Sequence, residues 1–256
     1  MNAPVIGIDI GGTGIKGGLV DPTRGKLLGE PVCVPTPQPA TPKAVAQAVA
    51  LLVADVSVYP EAPAADSPMG VTFPGIIRHG VVHSAANMDR SWLNTDINEL
   101  LTTRLGRRVE VINDADAAGL AETRYGAGAG VSGAVLVITL GTGIGSALIL
   151  NGQLVPNVEL GHLEVDGCRA ETTTSAVARE RDQLSWEEYS VLLQRYFSHV
   201  EFLLSPELFI VGGGISQRAS EYLPHLKLQT TIVPAVFRNE AGIVGAAIQA
   251  FAPEHR

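Results

Sequence analysis

Two stretches of the chain alternate the same way between apolar runs and small residues. Val5–Ile10 is an apolar, β-branched run, followed by Gly11, Gly12, Thr13 and Gly14 and a second apolar run through Val20. Residues 134–140 form a similar run, followed by Gly141, Thr142 and Gly143 and a second run to Leu150. Each reads as strand, tight turn, strand. Glycine lets such a turn bend sharply and bring its N–H groups close to an anion, so two of these turns predict a grip on a phosphoryl donor. A third strand is expected over 27–34, then a stiff extended connection through Pro35, Pro37, Pro39 and Pro42. Thr41 is placed to cap a helix over 43–55, with Pro42 at its first position.

Beyond a Pro/Ala-rich loop, Met69–Phe73 reads as a strand that ends at Pro74 and Gly75, with a hairpin arm over 76–82. A helix is expected from about Asp96 to Leu105, a buried strand over 109–112 ending in Asn113 and Asp114, and a helix over 115–125. Helical patterning returns over 174–181 and 185–204, the latter with Ser185 and Glu188 as a capping box. A short strand over 208–211 runs into Gly212, Gly213 and Gly214, and a last helix is expected over 242–251. Strand hairpins alternating with helices in two related halves predict two α/β domains with a cleft between them. The boundary is expected near residue 113: a smaller domain over 1–113, joined by a C-terminal helix over 242–253, and a larger one over 114–241.

The apolar fraction of 46% supports substantial cores, and the 28 glycines are spread over turns rather than gathered in a low-complexity tract. A net charge of −8 argues against nonspecific nucleic-acid binding, which needs a basic surface. Two cysteines, Cys33 and Cys168, fit a reducing compartment. Asp9 interrupts the first apolar run, so no signal peptide is expected, and no membrane span is either. The expectation is a cytoplasmic protein.

Gly12 to Gly17 fits G-x-G-x-x-G, but a Rossmann site needs a helix directly after the glycines, and Gly18-Leu19-Val20 favours a strand. The Walker pattern is absent. The phosphates are therefore expected on another scaffold. Asp9-Ile10-Gly11-Gly12-Thr13-Gly14-Ile15-Lys16, Leu140-Gly141-Thr142-Gly143-Ile144-Gly145 and Val211-Gly212-Gly213-Gly214-Ile215-Ser216 resemble the two phosphate motifs and the adenosine motif of the actin/hexokinase-like kinases. Glu159-Leu160-Gly161-His162 is similar to the signature of the ROK family of sugar kinases. The segments 34–42, 113–127 and 159–165 carry a narrower similarity to bacterial polyphosphate glucokinases, including relatives that also accept mannose.

The resemblance implies a two-domain actin/hexokinase-like (ribonuclease H-like) fold. It implies transfer of a terminal phosphoryl group from polyphosphate or ATP to the 6-hydroxyl of glucose, with mannose as a second acceptor, and it implies a homodimer. It assigns the general base to Asp114, for which a plain helix N-cap is the competing reading. It assigns sugar contacts to Asn87, Asn113, Glu159, His162 and Glu171, beside the loop at Pro74 and Gly75. Amide and carboxylate groups there suit vicinal hydroxyls, which need two directed hydrogen bonds. Asp9, at a strand end, is the expected Mg²⁺ ligand, directly or through water, and Lys16 adds a point charge toward the phosphates.

Many ROK proteins carry a Cys-rich zinc loop after the Glu-x-x-His signature. Here Cys168 is the lone thiol between His162 and Glu171, so no structural zinc is expected. Glu159 and His162 also resemble half of a di-iron pair, but no second copy is evident. Both donors stand at this point. Gly212–Gly214 suits ATP, and polyphosphate would draw on cations among Lys16, Arg24, Lys43, Arg78, Arg90, Arg124 and Arg179. Two other classes compete. A sugar-responsive repressor needs a helix-turn-helix, for which a first strand at residue 4 leaves no expected room. An actin-like ATPase has no use for the Glu-x-x-His group.

Overall fold

A computed structural model describes residues 3–85 and 88–251. Asn87, one of the expected sugar contacts, lies outside the described residues. The chain divides into two compact units, Met1–Ala117 with Glu240–Arg256, and Ala118–Asn239.

In the first unit, β1 (Val5–Ile10), β2 (Gly14–Asp21) and β3 (Lys26–Pro35) form an antiparallel meander, and α1 (Pro42–Val56) follows. Thr41 caps α1, its Oγ1 accepting from Ala44 N at 3.3 Å, with Pro42 in the first turn. β4 (Met69–Phe73) then joins β1 in parallel. The arm that follows is a hairpin of β5 (Ile77–Arg78) and β6 (Val81–Val82), whose two turn residues, His79 and Gly80, take φ of 50° and 79°. Paired positive φ values match the right-handed twist of short hairpin strands. α2 (Ile97–Leu105), capped by Asp96, leads to β7 (Val109–Asn113), parallel to β4, and to the first turn of α3 (Asp114–Tyr125). The sheet order is β3-β2-β1-β4-β7.

Strand alternation decides what each face of this sheet does. Ile6, Ile8 and Ile10 are fully buried in a core shared with Val45, Val49 and Leu52 of α1. Gly7 and Asp9 point to the other face, where α8 (Ala241–Phe251) lies. Gly7 and Gly70 are direct partners across β1 and β4. A Cβ on Gly7 would stand 2.1 Å from Ile243 O, and one on Gly70 1.8 Å from Ala246 O. The missing side chains let the helix backbone rest on the sheet.

In the second unit, β8 (Ala134–Leu140), β9 (Ile144–Leu150) and β10 (Gln153–Val155) form a meander, and β13 (Leu208–Gly212) and β14 (Thr231–Pro234) run parallel to β8 and to β13 respectively. The order β10-β9-β8-β13-β14 repeats that of the first unit strand for strand. Between β10 and β13 come the hairpin β11 (Glu164–Val165) and β12 (Cys168–Arg169), then α4 (Ala170–Thr174), α5 (Ala176–Arg181) and α6 (Trp186–Leu204). The expected capping box is present: Ser185 N donates to Glu188 Oε2 at 2.9 Å and Glu188 N to Ser185 Oγ at 3.2 Å. Tyr189, Leu193, Tyr196 and Phe197 of α6 are fully buried with Leu136, Ile138, Phe209 and Val211 of the sheet. α7 (Ala219–Tyr222) lies between β13 and β14.

The helix expected over 174–181 is α5, which starts two residues later at Ala176; α4, ending at Thr174, carried no expectation. Ser175 is extended (φ −70°, ψ 162°) and caps α5, accepting from Ala178 N at 3.1 Å. β10, β11–β12, β14 and α7 carried no expectation. Among the described residues no helix is long and apolar enough to cross a membrane.

Candidate active site

In the first unit the expected residues collect at the carboxyl ends of β1, β4 and β7, where open parallel sheets place their ligands. Asp9, next to last in β1, is half-buried. The Thr72 hydroxyl donates to its Oδ1 at 2.7 Å and accepts from Ile10 N at 3.2 Å. Burial raises the Asp9 pKa above the usual carboxylate range, and the Thr72 bond and the Lys16 charge pull the other way. α8 reaches this carboxylate as well, since a Cβ on Gly242 would stand 2.7 Å from Asp9 Oδ1.

The first glycine turn is closed by its own backbone, Gly11 N donating to Gly14 O at 2.9 Å. Thr36 braces it from the proline-rich segment, its Oγ1 donating to Gly11 O at 2.6 Å and its N to Thr13 O at 3.2 Å. The second turn has the same closure, Gly141 N to Gly143 O at 3.0 Å, and Val177 N of α5 donates to Gly141 O at 3.2 Å. With the Gly11 and Gly141 N–H groups engaged inside the turns, an anion would meet Gly12 and Thr13 on one and Thr142 and Gly143 on the other. Bend is not the reason for glycine here, because Gly11, Gly14, Gly141, Gly143 and Gly214 all lack the left-handed backbone. Close approach is the reason at Gly11 and Gly143, where a Cβ would stand 3.0 Å from Gly14 O and 2.8 Å from Glu171 Oε2. Nothing stands within 4 Å of a Cβ on Gly141 or Gly214. Gly213 alone of the Gly212–Gly214 run has positive φ, at 80°, and a Cβ there would stand 2.4 Å from Leu140 O.

Asn113 and Asp114 divide their work in a way the sequence left open. Asn113 is buried and is the cap of α3: its Oδ1 accepts from Ala115 N at 2.9 Å and Asp116 N at 3.1 Å. Its amide donates to Gly75 O at 3.1 Å, tying the Pro74–Gly75 loop to β7. Gly75 itself is crowded, a Cβ there falling 2.2 Å from Ser84 O. The helix-capping reading considered for Asp114 thus belongs to its neighbour. Asp114 opens α3 as an exposed carboxylate, its Oδ1 accepting from Ala115 N at 2.9 Å.

In the second unit Glu159, His162 and Glu171 come together. His162 Nε2 lies 3.7 Å from Glu171 Oε1. Burial raises the Glu159 pKa, the His162 charge lowers it, and the Glu171 charge raises it again. Glu171 is also the residue that a Cβ on Gly143 would strike, at 2.8 Å from Oε2, so this group borders the second glycine turn. Two contacts hold the loop that carries Glu159. Ser146 of β9, buried, donates to Val158 O at 2.5 Å and accepts from Leu160 N at 2.8 Å. Gly161 lets that loop approach β9, since a Cβ would fall 2.3 Å from Ile144 O. The hairpin β11–β12 fills the interval between His162 and Glu171.

Sequence reading missed Thr36, Thr72 and Ser146. Their signal is a lone hydroxyl in an otherwise apolar or proline-rich run, where burial demands a hydrogen-bond partner. Of the cations considered for a polyanion, Lys16, Arg24, Lys43, Arg78 and Arg90 belong to the first unit, and Arg124 and Arg179 to the second.

Residues 5–178 match the ROK family profile. The chain belongs to the ROK family. It is 47% identical to the polyphosphate glucokinase of Mycobacterium tuberculosis (strain CDC 1551 / Oshkosh) over 247 residues, covering 96% of this chain and 91% of that protein. It is 80% identical to the crystal structure of an inorganic polyphosphate/ATP-glucomannokinase from Arthrobacter sp. strain KM, with a TM-score of 0.94 over 97% of this chain and 98% of that one. A ROK family glucokinase from Streptomyces griseus, solved with glucose and AMPPNP, is 26% identical with a TM-score of 0.82, covering 96% and 99%. The fold is the two-domain α/β architecture of the actin/hexokinase-like sugar kinases.

Proposed function

We propose that this ROK protein transfers the terminal phosphoryl group of inorganic polyphosphate or ATP to the 6-hydroxyl of glucose, and of mannose. The observation that supports the reading is the placing of Glu171 against both the Gly143 turn and His162, a carboxylate suited to hydroxyls beside a turn suited to phosphate. The relatives named as polyphosphate glucokinase and polyphosphate/ATP-glucomannokinase support the choice of donor and acceptor.

In this reading Glu159, His162, Glu171 and Asn113 hold the ring hydroxyls. Asn113 has one amide N–H left for that purpose once Gly75 O is satisfied. The loop at Pro74 and Gly75 shapes the rim. Asp114 accepts the proton of the 6-hydroxyl as its oxygen attacks phosphorus. The bond from phosphorus to the bridging oxygen breaks, leaving ADP or a polyphosphate one unit shorter. Gly12, Thr13, Thr142 and Gly143 donate backbone N–H groups to the phosphoryl oxygens, with Lys16 as a point charge. Phosphoryl transfer needs this alignment and charge neutralisation more than covalent help.

A divalent cation, Mg²⁺ in this reading, would supply further charge neutralisation. Asp9 fits it: the Thr72 hydroxyl holds the carboxylate in place through Oδ1, and a single carboxylate with water and phosphate oxygens is the usual Mg²⁺ environment. A cytoplasmic homodimer completes the proposal.

Initial rates with glucose, mannose or no sugar, each against ATP and polyphosphate, test it. Sugar 6-phosphate from both donors, with donor consumption dependent on sugar, is expected. Donor hydrolysis without sugar phosphate would sink the proposal.

A further inference from the structure

Arg179, in the last turn of α5, is a cation of unusual setting. Among the described residues it pairs with no acid, and its buried Nε has no hydrogen-bond partner. Its guanidinium carbon stands 3.7 Å from the ring centroid of Trp186, the first residue of α6. Arg218, which ends the 3-10 helix Gly214–Arg218, approaches the same indole at 5.4 Å. Tyr222 stacks on that indole with centroids 5.8 Å apart and planes 21° off parallel, which fixes the ring. Arg218 shares its charge with Glu221 at 3.2 Å; Arg179 has no such partner.

Both arms start from the tip of β8. Val177 N, two residues before Arg179, donates to Gly141 O at 3.2 Å. Gly213, just before the helix that ends in Arg218, packs its Cα against Leu140 O. Both segments that carry the guanidinium groups are therefore anchored at the start of the second glycine turn. A guanidinium held over an indole leaves its terminal N–H groups for phosphate oxygens, which they fit as a planar fork.

We propose that Arg179 and Arg218, mounted on Trp186, hold the internal phosphates of a linear polyphosphate, behind the phosphoryl group being transferred. The inference rests on the reading of this chain as a polyphosphate- and ATP-using kinase, and it deepens that reading by giving the polyanion its path. ATP runs out of phosphates after three and ends in a nucleoside. Polyphosphate continues, and each further unit is an anion that a fixed, unpaired cation can meet.

The test compares wild type with Arg179→Gln, Arg179→Lys and Arg218→Gln, measuring KM and kcat for long-chain polyphosphate and for ATP at several salt concentrations. KM for polyphosphate rises about five- to twenty-fold in Arg179→Gln, several times more than KM for ATP. The salt dependence of polyphosphate KM becomes shallower by nearly one in log–log slope for each cation removed, by analogy with counterion release from nucleic acids. Arg179→Lys keeps the slope and recovers part of the affinity, which a purely structural stack does not explain.

Fluorescence gives a second readout. The chain has two tryptophans, and Trp92 is fully buried with its Nε1 donating to Ala40 O at 2.8 Å. Polyphosphate added to wild type alters the Trp186 emission, and the change is lost in Trp186→Phe. Arg218 is largely exposed, so Arg218→Gln keeps the test available if Arg179→Gln does not fold. Equal KM changes for both donors, or none, overturn the inference. A wild type inert toward polyphosphate overturns the underlying reading instead.

Discussion

The pair Asn113 and Asp114 gives a sharp separation of stability from chemistry. Asn113→Ala removes the two bonds that cap α3 and the bond to Gly75 O. A lost cap costs about 0.5–2 kcal/mol. One further hydrogen bond adds about 0.5–1.5 kcal/mol. At about 2–4 °C per kcal/mol in a protein of this size, a central loss near 2 kcal/mol lowers Tm by about 4–8 °C. The Gly75 loop loosens with it, so KM for glucose rises while kcat stays within about ten-fold, the usual effect of losing binding rather than chemistry.

Asp114→Asn is the contrasting change. Its carboxylate is exposed at the first helical position, so the stability at stake is the charge–helix interaction, about 0.3–1 kcal/mol. Turnover falls by roughly two to four orders of magnitude, the scale of a positioned general base. Thermal unfolding of both variants beside steady-state kinetics checks the division. If Asp114→Asn proves the less stable protein, or Asn113→Ala loses turnover as severely, then cap and base have been assigned to the wrong residues.

Two further outcomes follow from buried contacts. Ser146→Ala frees Val158 and Leu160 on either side of Glu159; KM for glucose then rises several-fold with a smaller change in kcat, and Ser146→Thr restores part of it. Unchanged glucose kinetics in a folded Ser146→Ala protein would show that the Glu159 loop is held by other means. The raised pKa of Asp9 means that its ionised form is the costly one in the folded state. The stability associated with this group is present in full below the unfolded carboxylate pKa and is lost as pH rises through the folded value. Asp9→Asn is therefore more resistant to heat than wild type at pH 7, with the difference vanishing in acid, while kinase activity collapses. An Asp9→Asn protein that is less stable at pH 7 contradicts the assigned cost of burial.

What the sequence disclosed depended on how local each feature was. β1, β2, β8 and β9 were legible because each is a largely apolar run on one side of a glycine turn. The caps of α1 and α6 were legible because Thr41 and Ser185 stand beside their helices. Two further hairpin turns carry the local Asn-Gly or Asp-Gly signal: Asn151-Gly152 (φ 51° and 79°) opens β10, and Asp166-Gly167 (φ 53° and 78°) joins β11 to β12. The stretch from Gly214 to Glu240 was not legible, since its helical pieces, such as Ala219–Tyr222, are too short to show a period. The clasp of Thr36 on Gly11 and that of Thr72 on Asp9 span 25 and 63 residues of chain, and no local pattern announces them.

The shared strand order explains why the two glycine turns look alike, and the residues that differ on it explain why a helix packs so closely beside Asp9 in the first unit. With Gly11 set against Gly141, Asp9 corresponds to Thr139 and Gly7 to Val137. Val137 pairs with Ile210 across β8 and β13, whereas Gly7 pairs with Gly70 across β1 and β4. A Val–Ile pair presents two branched side chains to whatever covers it, and both belong to an apolar cluster with Val135 and Ile149. A Gly–Gly pair presents none, so in the first unit alone a helix backbone settles directly on the strands. That settling carries Gly242 against the Asp9 carboxylate and reduces its exposure to water. The glycines of β1 and β4 thus act twice, once as a seat for α8 and once, through the burial α8 imposes, on the electrostatics of the acid two residues further along β1. Substituting either glycine should be read in the Asp9 titration as well as in the melting curve, because one contact underlies both.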